Sequence, residues 1–194
     1  MHKQNDFGTG SVKRLILSQA LPLTVAQTVQ LLYNIVDRIY IGHMPGDGHL
    51  ALTGVGICMP IILFISAFAA LTGAGGAPRA SIFMGKGQND QAEKTLAGCF
   101  SLLSVIAVVL TTVLLIWSDD LLMAFGASEN TIAFAVDYMK IYAIGTIFVQ
   151  LTLGMNAFIT AQGFTKVSMM TVLIGAVSNI ILDPIFIFGL KMGV

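Results

Sequence analysis

Long apolar stretches separated by short polar ones dominate this chain. Five of them, roughly 15–41, 50–78, 96–117, 131–162 and 167–190, reach the length of about 20 mainly apolar residues that a helix needs to cross a bilayer. They are rich in Leu, Ala and Met and lack the strict alternation of strands, so the pattern predicts helices. The expected fold class is an all-α integral membrane protein with about five transmembrane helices. Composition agrees: 56% of the residues are hydrophobic and 10% charged, against about 25% charged in a soluble domain. Too few charges remain to clothe a water-facing surface.

The short connections suggest an orientation. Lys13 and Arg14 precede the first stretch, and the connection from His43 to His49 has no Lys or Arg. Arg79, Lys86 and Lys94 follow the second stretch, the acidic Asp119, Asp120 and Glu129 follow the third, and Lys166 separates the last two. Basic residues thus alternate sides, which by the positive-inside rule places the N-terminus in the cytoplasm. Lys191 is the one exception. Trp117 falls at the expected outer end of the third helix, where aromatic anchors gather. Residues Met1–Ser11 are polar and lack the features of a signal peptide. Asn89-Asp90-Gln91-Ala92-Glu93 reads as the start of a short amphipathic cytoplasmic helix, with Asp90 as cap and Glu93 reaching back. The chain stops soon after its fifth apolar stretch, which suggests an incomplete lobe.

Other charge and cysteine signals exclude more than they identify. A net charge of zero argues against nucleic acid as a partner. Cys58 and Cys99 lie within apolar runs and read as buried small hydrophobes.

Two acidic residues stand out inside the apolar stretches, Asp37 in the first and Asp183 in the fifth. Both are expected roughly 8–12 Å below the outer surface. Intramembrane carboxylates are costly and normally face protein or a water-filled cavity. Gln19, Gln27, Gln30, Asn34 and Asp37 share an arc of about 80° on the first helix. Asn179 and Asp183 are four apart on the fifth and share a face, with Ser168, Thr171 and Gly175 nearby. Thr146, Gln150, Asn156 and Thr160 span about 120° of the fourth. Three polar faces therefore point to a common interior. Gln19, Gln27 and Thr160 suit interhelical hydrogen bonding with no further role, whereas the carboxylates suit an ion site. The basic neighbour Arg38 turns about 100° from Asp37 and could extend to the surface. Carboxylate, amide and backbone oxygens accommodate H⁺ or a hard cation such as Na⁺. Pro184 removes a backbone donor and frees the carbonyl of Ile180. Pro22 and Pro184 are the hinge candidates, and Pro60 should bend the second helix.

No catalytic motif is present, so no enzyme activity is expected. Gly73-Ala74-Gly75-Gly76-Ala77-Pro78 ends an apolar stretch and fits close helix packing better than a phosphate loop. Gly85-Lys86 lacks the other residues of a P-loop. His43 and His49 lack a third metal ligand.

Specific stretches carry a resemblance. They are Leu32-Tyr33-Asn34-Ile35-Val36-Asp37-Arg38-Ile39-Tyr40-Ile41-Gly42, Ala51-Leu52-Thr53-Gly54-Val55-Gly56, Gly75-Gly76-Ala77-Pro78 through Gly85-Lys86-Gly87, Ala161-Gln162-Gly163, and Asn179-Ile180-Ile181-Leu182-Asp183-Pro184. In order and spacing the chain resembles the N-terminal half of the multidrug and toxic compound extrusion (MATE) family, in its bacterial branch. The resemblance implies five helices of a six-helix N-terminal lobe in a twelve-helix transporter of the bacterial inner membrane. It implies an antiporter that expels amphipathic or cationic drugs in exchange for H⁺ or Na⁺, without a cofactor. Asp37, Asp183 and Asn179 match the family's cation site, and Asn156 an amide of the same cavity. Gln30, Asn34, Thr146 and Gln150 are the candidates for lining a substrate cavity. The lipid bilayer and a second lobe, absent from this chain, are the implied partners. Two other readings compete. A lipid-linked sugar flippase would need cationic cavity residues to meet pyrophosphate, and none suited to that stands out. A membrane scaffold or assembly subunit would use the polar faces only for packing.

Overall fold

The computed structural model describes residues 11–44, 46 and 48–190. Expectations placed on residues 1–10 and on Lys191 lie outside the described residues. Five helices follow one another: α1 (Val12–Gly42), α2 (Gly48–Gly85), α3 (Asn89–Ala124), α4 (Ile132–Ala161) and α5 (Thr165–Pro184). A π-helical turn, Ile185–Gly189, continues from α5. With that turn included in the last, all five are long and apolar enough to cross a membrane. Outward-facing Leu71, Ile141 and Ile144 are each more than three-fifths exposed, a surface suited to lipid.

Hydropathy alone misjudges the ends of α3. The segment from Asn89 to Glu93 is the first turn of α3 itself rather than a separate short helix, and Asp90 lies inside it. Gln88 occupies the N-cap position without a side-chain bond. At the other end α3 continues beyond Trp117, which adopts non-helical angles (φ −115°, ψ 19°) and kinks the helix. Beyond the kink Ser118 and Leu122 are buried while Asp119 and Asp120 are exposed. The paired aspartates end the apolar run, but an amphipathic turn still forms because its apolar side has core to cover. Asp137 and Lys140 also fall within the fourth expected span. They sit near the start of α4 and are exposed.

The helices associate in two groups. In the first, α2 and α4 run parallel in steady register, with Gly54 against Ala135, Gly73 against Ala157 and Gly76 against Phe158. A Cβ on Gly54 would lie 3.1 Å from both Ala135 N and Phe134 Cβ. Small residues let helix backbones approach this closely where lipid offers no hydrophobic drive for association. Gly73 and Gly76 therefore serve packing, while Gly75 faces open space. Polar bonds join the same helices. Gln150 Nε2 donates to Ile65 O at 2.6 Å, and Cys58 Sγ to Ala135 O at 3.5 Å. Helix α3 lies antiparallel beside α4, where Thr111 Oγ1 donates to Ala143 O at 2.9 Å.

This packing corrects two assignments. Gln150 and Thr146 do not line a substrate cavity. Both are 0% exposed, because the polar arc of α4 is wide enough to divide, and this part of it is enclosed within the bundle. Gln150 bonds α2, whereas Thr146 bonds its own helix at Tyr142 O.

The second group is α1 with α5. The chain reaches α5 through a tight reversal at Gly163, whose φ of +85° suits glycine. Gly163 N donates to Thr160 O and Phe164 N to Ile159 O, closing α4 with the paired bonds of a Schellman motif. Pro22 lies inside α1 without ending it, and Pro184 closes α5 where the wider π turn begins. Gly54→Leu should force α2 from α4 and lower stability by about 1–3 kcal/mol. SDS-induced unfolding in mixed micelles measures this, with Gly75→Leu as the near-neutral comparison.

Candidate cation and substrate site

One hydrogen bond reveals how the acidic residues meet. Thr165 at the start of α5 donates to Gln19 near the start of α1, across a separation of 146 residues. Asp37 and Asp183 have the same separation. Each acidic residue lies 18 residues beyond its partner in that bond, or five full turns at 3.6 residues per turn. Two parallel helices touching at Gln19 and Thr165 therefore bring Asp37 and Asp183 to the same faces at the same height, about 27 Å further on. Tyr40 meets Phe188 edge-to-face beyond them, with ring centroids 6.3 Å apart.

The structure brings the two carboxylates within electrostatic reach of one another. Tyr33, one turn before Asp37, lies within reach of both charges. Both aspartates are part-buried. With its amide nitrogen turned toward the carboxylate, Asn179 donates to both Asp183 oxygens, at 3.0 Å to Oδ2. Asn179 also borders the cavity described next.

A cavity of about 800 Å³ opens between the two helix groups, within the range of about 300–1,000 Å³ for small-molecule sites. Gln30, Asn34, Asn156 and Asn179 contribute amides to its wall, and Tyr33, Tyr138 and Tyr142 contribute rings. Tyr138 and Tyr142 stack with centroids 6.4 Å apart. Asn156 Oδ1 is buried without a hydrogen-bond partner among the described residues. Asn34 spends its amide nitrogen on Gln30 O, 2.7 Å away. Apolar side chains such as Ile62, Leu63 and Phe148 complete the wall, giving an amphipathic chamber.

The expected site residues thus divide. Asp37, Asp183 and Asn179 come together between α1 and α5, while Gln30, Asn34 and Asn156 line the cavity. Thr146 and Gln150 join neither. The expected interhelical bonds form at Gln19 and at Thr160, which donates to Ser168 Oγ at 3.0 Å. Gln27 is exposed. Arg38 is exposed, as a side chain able to extend to the surface would be, and it also borders the cavity and approaches Met59 Sδ at 3.6 Å. The tyrosines escaped the sequence reading because they count as apolar in a hydropathy pattern. The four-residue spacings of Tyr33 with Asp37 and of Tyr138 with Tyr142 were the available signals.

Comparison with known proteins adds a family. The MatE family profile matches residues 22–185. The chain is 29% identical over 190 residues to the multidrug export protein MepA of Staphylococcus haemolyticus (strain JCSC1435), covering 97% of this chain and 41% of that protein. It is 27% identical over 179 residues to an FAD transporter of Shewanella oneidensis, covering 92% of this chain and 39% of the relative. A solved outward-facing multidrug resistance MATE family transporter is 26% identical with a TM-score of 0.87, over 95% of this chain and 40% of that one. The chain therefore spans about two fifths of the length of these relatives. Thr165→Val should weaken the α1–α5 contact by about 1 kcal/mol, read as easier SDS-induced unfolding, because Gln19 then loses its partner.

Proposed function

The chain belongs to the MatE family, and from that membership and its paired carboxylates we propose that it forms the cation-coupled lobe of a secondary antiporter. Members of this family are transporters rather than enzymes, and they draw on ion gradients without a cofactor. The proposed activity is export of amphipathic small molecules in exchange for H⁺ or Na⁺. The observation that carries the reading is Asp37 beside Asp183, with Asn179 on Asp183. Two close carboxylates repel each other, and a proton or a sodium ion bound between them removes that repulsion. Amide and carboxylate oxygens are also ligands a hard cation accepts.

The coupling follows from where these groups sit. Cation binding draws α1 and α5 together at their acidic faces. Asn179 and Tyr33 belong both to that contact and to the cavity wall, so the wall changes shape with it. Substrate held against Gln30, Asn34 and Asn156 is then released, and loss of the cation on the other side resets the lobe. Pro22 in α1 and Pro184 at the end of α5 are the proposed hinges. Lys13, Arg14, Lys86, Lys94 and Lys166 fall at helix ends that we assign to the cytoplasm by the positive-inside rule, which supports a cytoplasmic N-terminus for a protein of the bacterial inner membrane. A second lobe would close the cavity in the complete transporter.

A substrate unlike a drug has specific support in the relative named as an FAD transporter. Arg38 at the cavity wall likewise supplies a cationic group that the flippase reading required. The membrane-scaffold reading instead leaves the carboxylates without an ion-linked role.

In efflux-deficient cells expressing the transporter that carries this lobe, Asp37→Asn and Asp183→Asn should each abolish export while membrane expression persists. Accumulation of a fluorescent substrate checks this. Unaltered export by both variants sinks the coupling role. In the purified full chain, Na⁺ or lower pH should raise the unfolding midpoint of wild type, since a ligand bound only by the folded state stabilises it. The double variant should lose that response.

A further inference from the structure

The cavity wall carries one formal charge, and it is positive. Among the described residues that line it, Arg38 is the only Asp, Glu, Lys or Arg. Neither Asp37 nor Asp183 lines the cavity. Asp37 interacts electrostatically with Arg38 and with the lining residue Tyr138, but its own side chain is not part of the wall. What fronts a ligand is the guanidinium.

That guanidinium is poorly satisfied by the protein. Arg38 is exposed, and its hydrogen bond among the described residues runs to the thioether of Met59 at 3.6 Å. A thioether is a weak acceptor, whereas a guanidinium carries a fork of N–H donors matched to carboxylate or phosphate oxygens. The rest of the wall is neutral and includes the rings of Tyr33, Tyr138 and Tyr142 and the amide of Asn34. The wall therefore pairs a fixed cation with stacking surfaces and apolar side chains.

We propose that Arg38 makes this cavity a receptor for amphipathic compounds carrying an anionic group (carboxylate, sulfonate or phosphate), in preference to purely cationic ones. The anionic group sits on the guanidinium in paired hydrogen bonds, and the aromatic or aliphatic body lies against the tyrosines and Phe148. Zwitterionic compounds qualify by their anionic end. The inference narrows the cationic expectation drawn from the family resemblance. It rests on the export reading in one respect, that this cavity receives the transported compound.

Three matched fluorescent amphiphiles test it, identical except for a terminal carboxylate, its methyl ester, or a trimethylammonium group. Binding to the full chain is measured by fluorescence anisotropy in uncharged maltoside micelles. Wild type should bind the carboxylate probe roughly tenfold or more tightly than either other probe, the size expected of a charge-assisted hydrogen bond. Added salt should weaken the carboxylate probe and leave the ester unchanged. Arg38→Gln and Arg38→Met, checked for helical content by circular dichroism, should erase the preference. Tighter binding of the ammonium probe, equal binding of all three, or binding of none to folded wild type overturns the assignment. So does a carboxylate preference that survives in folded variants. The wild-type comparison decides the matter even if neither variant folds. A wild type that prefers the ammonium probe, alongside inactive Asp37→Asn and Asp183→Asn transporters, removes the Arg38 inference and leaves the export reading standing. Active Asp37→Asn and Asp183→Asn transporters with intact carboxylate preference do the reverse.

Discussion

The parallel register of α1 and α5, held at one end by Gln19 with Thr165, is the constraint on which the acidic site depends. Nothing local draws Asp37 toward Asp183, and the proximity of two carboxylates is unfavourable by itself. Their meeting follows from helix geometry, because five whole turns separate each from a residue already in contact. Insertion of one residue between Gln19 and Asp37 would rotate the aspartate about 100° off the shared face. In a bilayer, where apolar surface gains little by leaving lipid, such point contacts carry unusual weight in setting register.

The other helices are held by different means. Gly54, Gly73 and Gly76 bring α2 close to its neighbours, and the buried amide of Gln150 ties α2 to α4. This leaves one close-packed group facing a pair of helices with fewer shared contacts. The cavity is the gap between them. Its polar lining costs little because Gln30, Asn34, Asn156 and Asn179 face that gap rather than lipid. Asn179 joins the two features, since one amide touches a carboxylate of the acidic pair and borders the chamber. Tyr33, within reach of both carboxylates, borders the chamber as well.

Much of the fold was legible in the residue order. Apolar runs of membrane length indicated five helices, and the polar arcs of α1 and α5 pointed inward for a physical reason: amides and carboxylates are expensive against lipid. The ends of α3 were not legible. Hydropathy marks where the chain becomes polar, whereas a helix continues as long as its backbone bonds and one buried side sustain it. Trp117 thus marks a kink, and the polar Asn89–Glu93 segment is the first turn of α3.

The sequence by itself determined that the chain is helical and membrane-spanning, and that Asp37 and Asp183 are unusual residues at similar depth. Periodicity and transfer energy suffice for that, since both are properties of a single helix. Only the tertiary structure decided which polar residues share a space. Asn156 reaches the cavity while Gln150 and Thr146, on the same polar arc, are sealed within the bundle. Arg38 borders the cavity while remaining exposed. These outcomes depend on where a neighbouring helix lies around each residue, and a single helix's sequence pattern does not contain the position of its neighbour.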